Sequence, residues 1–307
     1  MESLNKILQD FSLNVNYANY TNKYQRVSFI LNDIKKLRYL EVIGSPEESV
    51  KQISDYEYDI YMKLNVPFHV KPIKDDQFPG FVMLFAGDGV EHKAVVNGYV
   101  NRKALEDWLK LENGGSLKIQ KVINEVETTF NIKPVFEFNY TDWVLPEPGL
   151  PDIIYKTQPW YALPQAVVPF DSRTFLVWMP HWENMLMRIN NSQNVFYIMK
   201  ELCYVNQMSE LSDEILKKVI LKQLPLKSSC TLVDFLIDMW RKLCDYLKEA
   251  NLPNFVLNNL NQFRHLKEET IEAYLHEALN ILASLEKCKA GSSQALKQLG
   301  GIMLYRK

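Results

Sequence analysis

The chain is poor in the residues that mark disordered, secreted or membrane-spanning proteins. Of its 307 residues only 11 are glycine and 14 proline, too few for long low-complexity tracts. Its four cysteines, Cys203, Cys230, Cys244 and Cys288, are widely spaced, and none of the five histidines completes a zinc knuckle with them. Scattered free thiols in a reducing compartment are the plain reading. No apolar run is long enough to span a bilayer, and the N-terminal MESLNK lacks a signal-peptide core, so the expected location is cytoplasmic. A net charge of −2 excludes a chain-wide basic nucleic-acid binder and leaves only a local patch for such a role.

What is present is the composition of a folded protein, 47% hydrophobic and 23% charged, long enough for one large domain or two lobes. Val27, Ile30, Leu31, Ile34 and Leu37 recur at helical spacing and predict a long helix over about 20–40. YLEVI (39–43), YDIYMKLNV (58–66) and PGFVMLFAG (79–87) read as strands. Residues 100–128 read as helix in two pieces, NRKALEDWLKLE and SLKIQKVINEVETTF, and KPVFEFNYTDWVLPEP (133–148) as strand again. The proline-punctuated segment that follows reads as an irregular connection, and everything beyond about 180 as helix. The expected fold is α+β: an N-terminal lobe over 1–170, with a small mixed sheet against a long spine helix, and a helical lobe over 171–307.

Chemistry concentrates in EVIGSPEESVKQISDYEYDIYMKLNVP (41–67). Residues two apart on a strand share a face about 6.6 Å apart, so Glu57 and Asp59 can aim both carboxylates at one small volume. Paired carboxylates repel unless something positive lies between them, and Mg²⁺ suits that place because it bridges carboxylates to substrate phosphates. Gly44 lets backbone approach an anion, and Ser45 offers a hydroxyl and an N–H. Against this, an acid-x-acid strand can be a solvated face and a Gly-Ser pair an ordinary turn.

With Gly-Ser followed a dozen residues later by acid-hydrophobic-acid, the sequence resembles the cyclic GMP–AMP synthase (cGAS) family, particularly its animal cGAS-like receptors. The resemblance continues at PGFVML (79–84), WYALPQ (160–165), DSRTFLVWMPHWENMLM around Arg173, VFYIMKELCYV around Lys200 and EILKKVILKQLP (214–225). It implies a bilobal nucleotidyltransferase that joins ATP and GTP into a cyclic dinucleotide with Mg²⁺ or Mn²⁺. It further implies switching by a ligand such as double-stranded RNA on the N-terminal helix, and a product read by a STING-type receptor in innate immune signalling. Glu57 and Asp59 match the first two metal-binding acids, and Gly44 and Ser45 the phosphate turn. Asp142, after the strand-like VFEFNY and before a proline run, is chosen as third acid, with Glu137 and Asp152 as alternatives. Arg173, Lys200 and Lys217 are phosphate-compatible bases.

The sequence also departs from that pattern. Pro46-Glu47-Glu48 follow the turn where the family favours aromatics. Leu176 and Val177 replace nucleotide-touching serines, and Asp213-Glu214 replace a Ser-Tyr pair before Lys217. A catalytically inactive relative that binds a ligand or a protein partner is therefore the alternative, and a scaffold relative without nucleotide binding a third. Arg26, Lys35, Lys36 and Arg38, with Arg102, Lys103, Lys110, Lys118 and Lys121, are the candidate duplex-binding bases, weighed against an ordinary solvated helix face. Trp143, Trp160, Trp178 and Trp182 read mainly as core, with some available to stack on a base.

Overall fold

The computed structural model describes residues 4–6, 8–10, 25, 28–44, 49–54, 56–148, 150, 152–165, 172–189, 191–223, 231–256, 260–292 and 294. These form a mixed α+β protein in two compact units, one of Tyr20–Trp182 and the other of Met1–Asn19 with Glu183–Lys307.

The first unit is built on an eleven-stranded sheet. Its strands are β1 Leu40–Val42, β2 Val50–Ser54, β3 Glu57–Leu64, β4 Lys71–Lys74, β5 Phe81–Phe85, β6 Val95–Val96 and β7 Tyr99–Val100. The remaining four are β8 Lys118–Ile123, β9 Val126–Phe138, β10 Trp160–Leu163 and β11 Thr174–Trp178. The order is β1-β3-β9-β10-β11-β5-β7-β6, with β2 on β3, β4 on β5 and β8 on β9. β3 and β9 run parallel, with Glu57 opposite Thr129 and Asp59 opposite Asn131, and every other described pairing is antiparallel.

The two central strands are two-faced. Tyr58, Ile60, Met62 and Leu64 of β3 are buried on one side together with Phe130, Ile132, Phe136 and Phe138 of β9. Tyr58 stacks on Phe130 with ring centroids 5.6 Å apart. Burial of such side chains stabilises by roughly 1.5–3 kcal/mol each. Strand alternation therefore fixes Glu57, Asp59, Tyr61 and Lys63 on the opposite face, beside Asn131, Lys133, Val135 and Glu137.

Three expectations change. SLKIQKVINEVETTF is a β-hairpin, β8–β9, turned at Asn124 and Glu125 with φ of 50° and 66°. The proline-punctuated connection holds a short helix, Asp152–Tyr155, and strand β10, which pairs with both β9 and β11. The described part of the N-terminal stretch is helical over Leu31–Ile34 (α1) and then turns, with Tyr39 at φ 64°, into β1; it does not run as one helix to residue 40. Residues 20–24 and 26–27 lie outside the described set. Helix α2, Arg102–Glu112, is as expected: Asn101 caps it by accepting from the Ala104 N–H, and Leu105, Trp108 and Leu109 are buried. α3 is Asp152–Tyr155.

From Pro180 onward the described chain is helical apart from one isolated bridge: α4 Pro180–Met187, α5 Ser192–Val205, α6 Asp213–Leu221, α7 Leu232–Lys248 and α8 Glu268–Lys289. Thr231 caps α7 through the Asp234 N–H, and the buried Trp240 donates its indole N–H to the Ala278 carbonyl of α8 at 2.9 Å. Cys203, Cys244 and Cys288 are free and buried, and burial pushes the Cys203 thiol up to about 12, so these are inert packing groups. Among the described residues no helix is long and apolar enough to cross a membrane.

Candidate functional site

Glu57 and Asp59 share one face of β3, and the group between them is the side chain of Asn131. Parallel pairing sets Asn131 level with Asp59. Its Nδ2 donates to Glu57 Oε1 at 2.9 Å and to Asp59 Oδ1 at 3.0 Å. The amide has two hydrogens and finds two anionic acceptors, so the repulsion between the carboxylates is answered from inside the sheet. Lys133, two residues further along β9, places its Nζ 3.8 Å from Asp59 Oδ1 and adds a second positive end. Asn131 Oδ1 is buried with no hydrogen-bond partner.

Sequence reasoning missed Asn131. Once β9 is known to begin at Val126, the signal is plain: one short polar residue between the buried Phe130 and Ile132, on the face opposite theirs.

The three acids considered as a third ligand lie elsewhere. Asp142 sits in a 3₁₀ turn, Tyr140–Asp142, beyond the far end of β9. Phe138 is seven steps along the strand from Asn131, about 23 Å. The structure does not bring Asp142 to Glu57 and Asp59. Glu137, on the same face, accepts from Lys63 Nζ at 2.7 Å and from the Tyr161 hydroxyl at 3.2 Å. Asp152 accepts from Tyr155 within α3 and from Lys156 just after it, and the Lys156 hydrogen bond, then that of Tyr155, holds its carboxyl below the usual range. Among the described residues no group of three or more His, Cys, Asp or Glu is placed to hold a metal ion.

A resident pair of divalent ions needs anionic oxygen on more than one side, and here the third side presents amide hydrogens and an ammonium. The residues therefore do not fit a two-metal centre. Two carboxylates do fit one cation that arrives already held by a ligand's phosphates.

Gly44 closes β1 after the buried Ile43, with φ at +49°, a backbone conformation that suits glycine. Ser45, the other half of the turn, lies outside the described residues. Arg173 is exposed just before β11, three strand positions from β3, on the order of 14 Å across the sheet. Lys200 and Lys217 belong to the helical unit. Lys200 Nζ pairs with Asp213 at 2.8 Å. Burial opposes the charge of Lys217, but Glu214, Glu183 and Asp213 nearby hold its ammonium above the usual lysine value.

The aromatic residues divide between roles. Trp143, Trp160 and Trp182 pack on one another and donate their indole N–H groups to the carbonyls of Pro146, Asn139 and Gln158, which makes them scaffold. Trp178, opposite Tyr161 in register and 4.4 Å from the Tyr61 ring, stands half-buried on the acid-bearing face. Four of the nine candidate duplex-binding bases answer internal acids. Lys36 and Lys121 both engage Asp33, Arg38 engages Glu112, and Lys110 engages Glu106. Arg26 lies outside the described residues.

A mixed sheet that aligns an acid pair with a neighbouring parallel strand, followed by a helical region, is the frame on which the comparisons bear. The chain is homologous to cGAS-like proteins over most of its length. A cyclic GMP-AMP synthase-like protein of Drosophila melanogaster is 27% identical, across 91% of this chain and 92% of that protein. A cyclic GMP-AMP synthase-like receptor of Drosophila eugracilis is 23% identical, across 82% of this chain and 78% of that protein. No protein-family model matches the chain.

Proposed function

We propose that this chain is a nucleotidyltransferase-family protein that binds a nucleoside triphosphate over Glu57 and Asp59 without transferring it, and so acts as a ligand-responsive binding module. Homology to cGAS-like proteins supports the family and the ligand class. The observation that carries the loss of transfer is Asn131, whose amide hydrogens occupy the position between the two carboxylates. A phosphate-borne Mg²⁺ can still use two carboxylates, whereas a second ion to activate an attacking hydroxyl finds no third acid among the described residues. The pairing of Lys200 with Asp213 supports the same reading, since a lysine matched to phosphate binding is already engaged.

The competing reading is an active synthase that joins ATP and GTP into a cyclic dinucleotide on sensing double-stranded RNA. It is favoured by the Gly-Ser and acid-x-acid signature, with Gly44 at a positive φ. One experiment separates the two. The pure chain is incubated with ATP, GTP and Mg²⁺ or Mn²⁺, with and without duplex RNA, and both melting temperature and products are followed. Binding without transfer gives a rise in Tm, lost in Asp59→Asn, and no cyclic product. Cyclic dinucleotide from the wild-type chain, absent from Asp59→Asn, would establish the synthase instead.

A further inference from the structure

We infer that Asn131 and Lys133 stand in for a resident cation at Glu57 and Asp59, so that this face takes up a divalent metal only as a nucleotide complex. The inference rests on the nucleotide-binding reading above and specifies how that site is loaded.

Two carboxylates on one strand face need donors or positive charge between them, and the chain supplies one of each. The Asn131 amide gives one hydrogen to each acid, and Lys133 lies beside Asp59. Asn131 is only 9% exposed, and its Oδ1 is buried without a partner. Rotating the amide to offer Oδ1 to a cation would break both hydrogen bonds and gain only a neutral ligand. A bare ion would also have to displace the Lys133 ammonium. A cation carried on a triphosphate brings its own anionic oxygens, and needs only lone pairs of the two carboxylates that Asn131 does not engage.

The test uses the full chain and Mn²⁺ alone, free of nucleotide, followed by the paramagnetic resonance of the free ion. The wild-type chain should show no saturable uptake up to about 1 mM. Asn131→Asp should gain one saturable site at least about tenfold tighter, removed again by adding Asp59→Asn. Saturable uptake by the wild-type chain that Asp59→Asn abolishes would overturn the inference. So would an Asn131→Asp chain that folds, as checked by circular dichroism, and still takes up no metal. If Asn131→Asp does not fold, the wild-type titration decides alone. Adding ATP to the wild-type chain should then draw Mn²⁺ out of solution. If ATP has no effect while the other results hold, the nucleotide reading fails and the exclusion of bare metal stands.

Discussion

A side-chain amide can balance two carboxylates because its hydrogens are two and diverge. Replacing Asn131 by Ala removes the donor that Glu57 and Asp59 share. Asn131→Ala should lose about 1–3 kcal/mol of stability at pH 7 in urea unfolding. A second balance runs along the same face. Tyr161 donates to Glu137, and its oxygen lies 2.7 Å from His181 Nε2. Tyr161→Phe removes that bridge and should cost about 1–2 kcal/mol by the same measurement. Of these residues the sequence made Glu57 and Asp59 legible, because spacing alone puts alternate strand residues on one face. Asn131 was not legible. Its role depends on which strand lies beside β3, a non-local fact that no spacing within 41–67 encodes.

Misreading one element hid that fact. Ile119, Val122, Val126 and Phe130 recur at three- and four-residue steps, which suits a helix. The same stretch is rich in β-branched residues, and the strand wins because β8 and β9 close on a two-residue turn and β9 is then buried against β3. Long helices beyond residue 180 were legible because their apolar stripes run over many turns without a competing period. Glu125 pays a conformational cost at φ 66° that glycine would not. Glu125→Gly should therefore raise stability by about 0.5–1 kcal/mol, seen as a higher denaturation midpoint. The loop before α2 carries a pH-sensitive contact. His92 packs against Phe68 and Trp108, and its Nδ1 accepts from the Ala94 N–H at 3.1 Å. Burial, opposed by Glu112 and aided by Lys93, lowers its pKa below the usual 6.5. The folded state thus favours neutral His92. Its contribution is complete above about pH 6.5 and is lost as pH falls through the lowered folded value. Unfolding free energies compared between wild type and His92→Phe should diverge in that window and run parallel above it.

Among the described residues, several charges are answered inside their own unit. In the helical unit Lys218 donates to Glu183; the two are 5% and 4% exposed, and the ammonium lies 4.7 Å from the centre of the Phe255 ring. Lys218→Met alone leaves a buried unpaired carboxylate and should cost about 3–5 kcal/mol, while Lys218→Met with Glu183→Leu should recover most of it. The paired bases of the sheet-bearing unit, with a net charge of −2 overall, should bind duplex RNA no tighter than about 1 μM at physiological salt, as read by filter retention. The β3–β9 pairing also bears on how the protein assembles. Its cross-strand contacts join residues 72 to 74 positions apart: Asp59 and Glu57 to Asn131, and Lys63 to Glu137. Such closure is entropically costly and comes after local hairpins have formed. During synthesis the acid pair emerges long before its amide. The acid-bearing face is thus completed in the same kinetic event that locks the sheet's register, and recovery of the proposed nucleotide binding after dilution from denaturant should track the slowest folding phase.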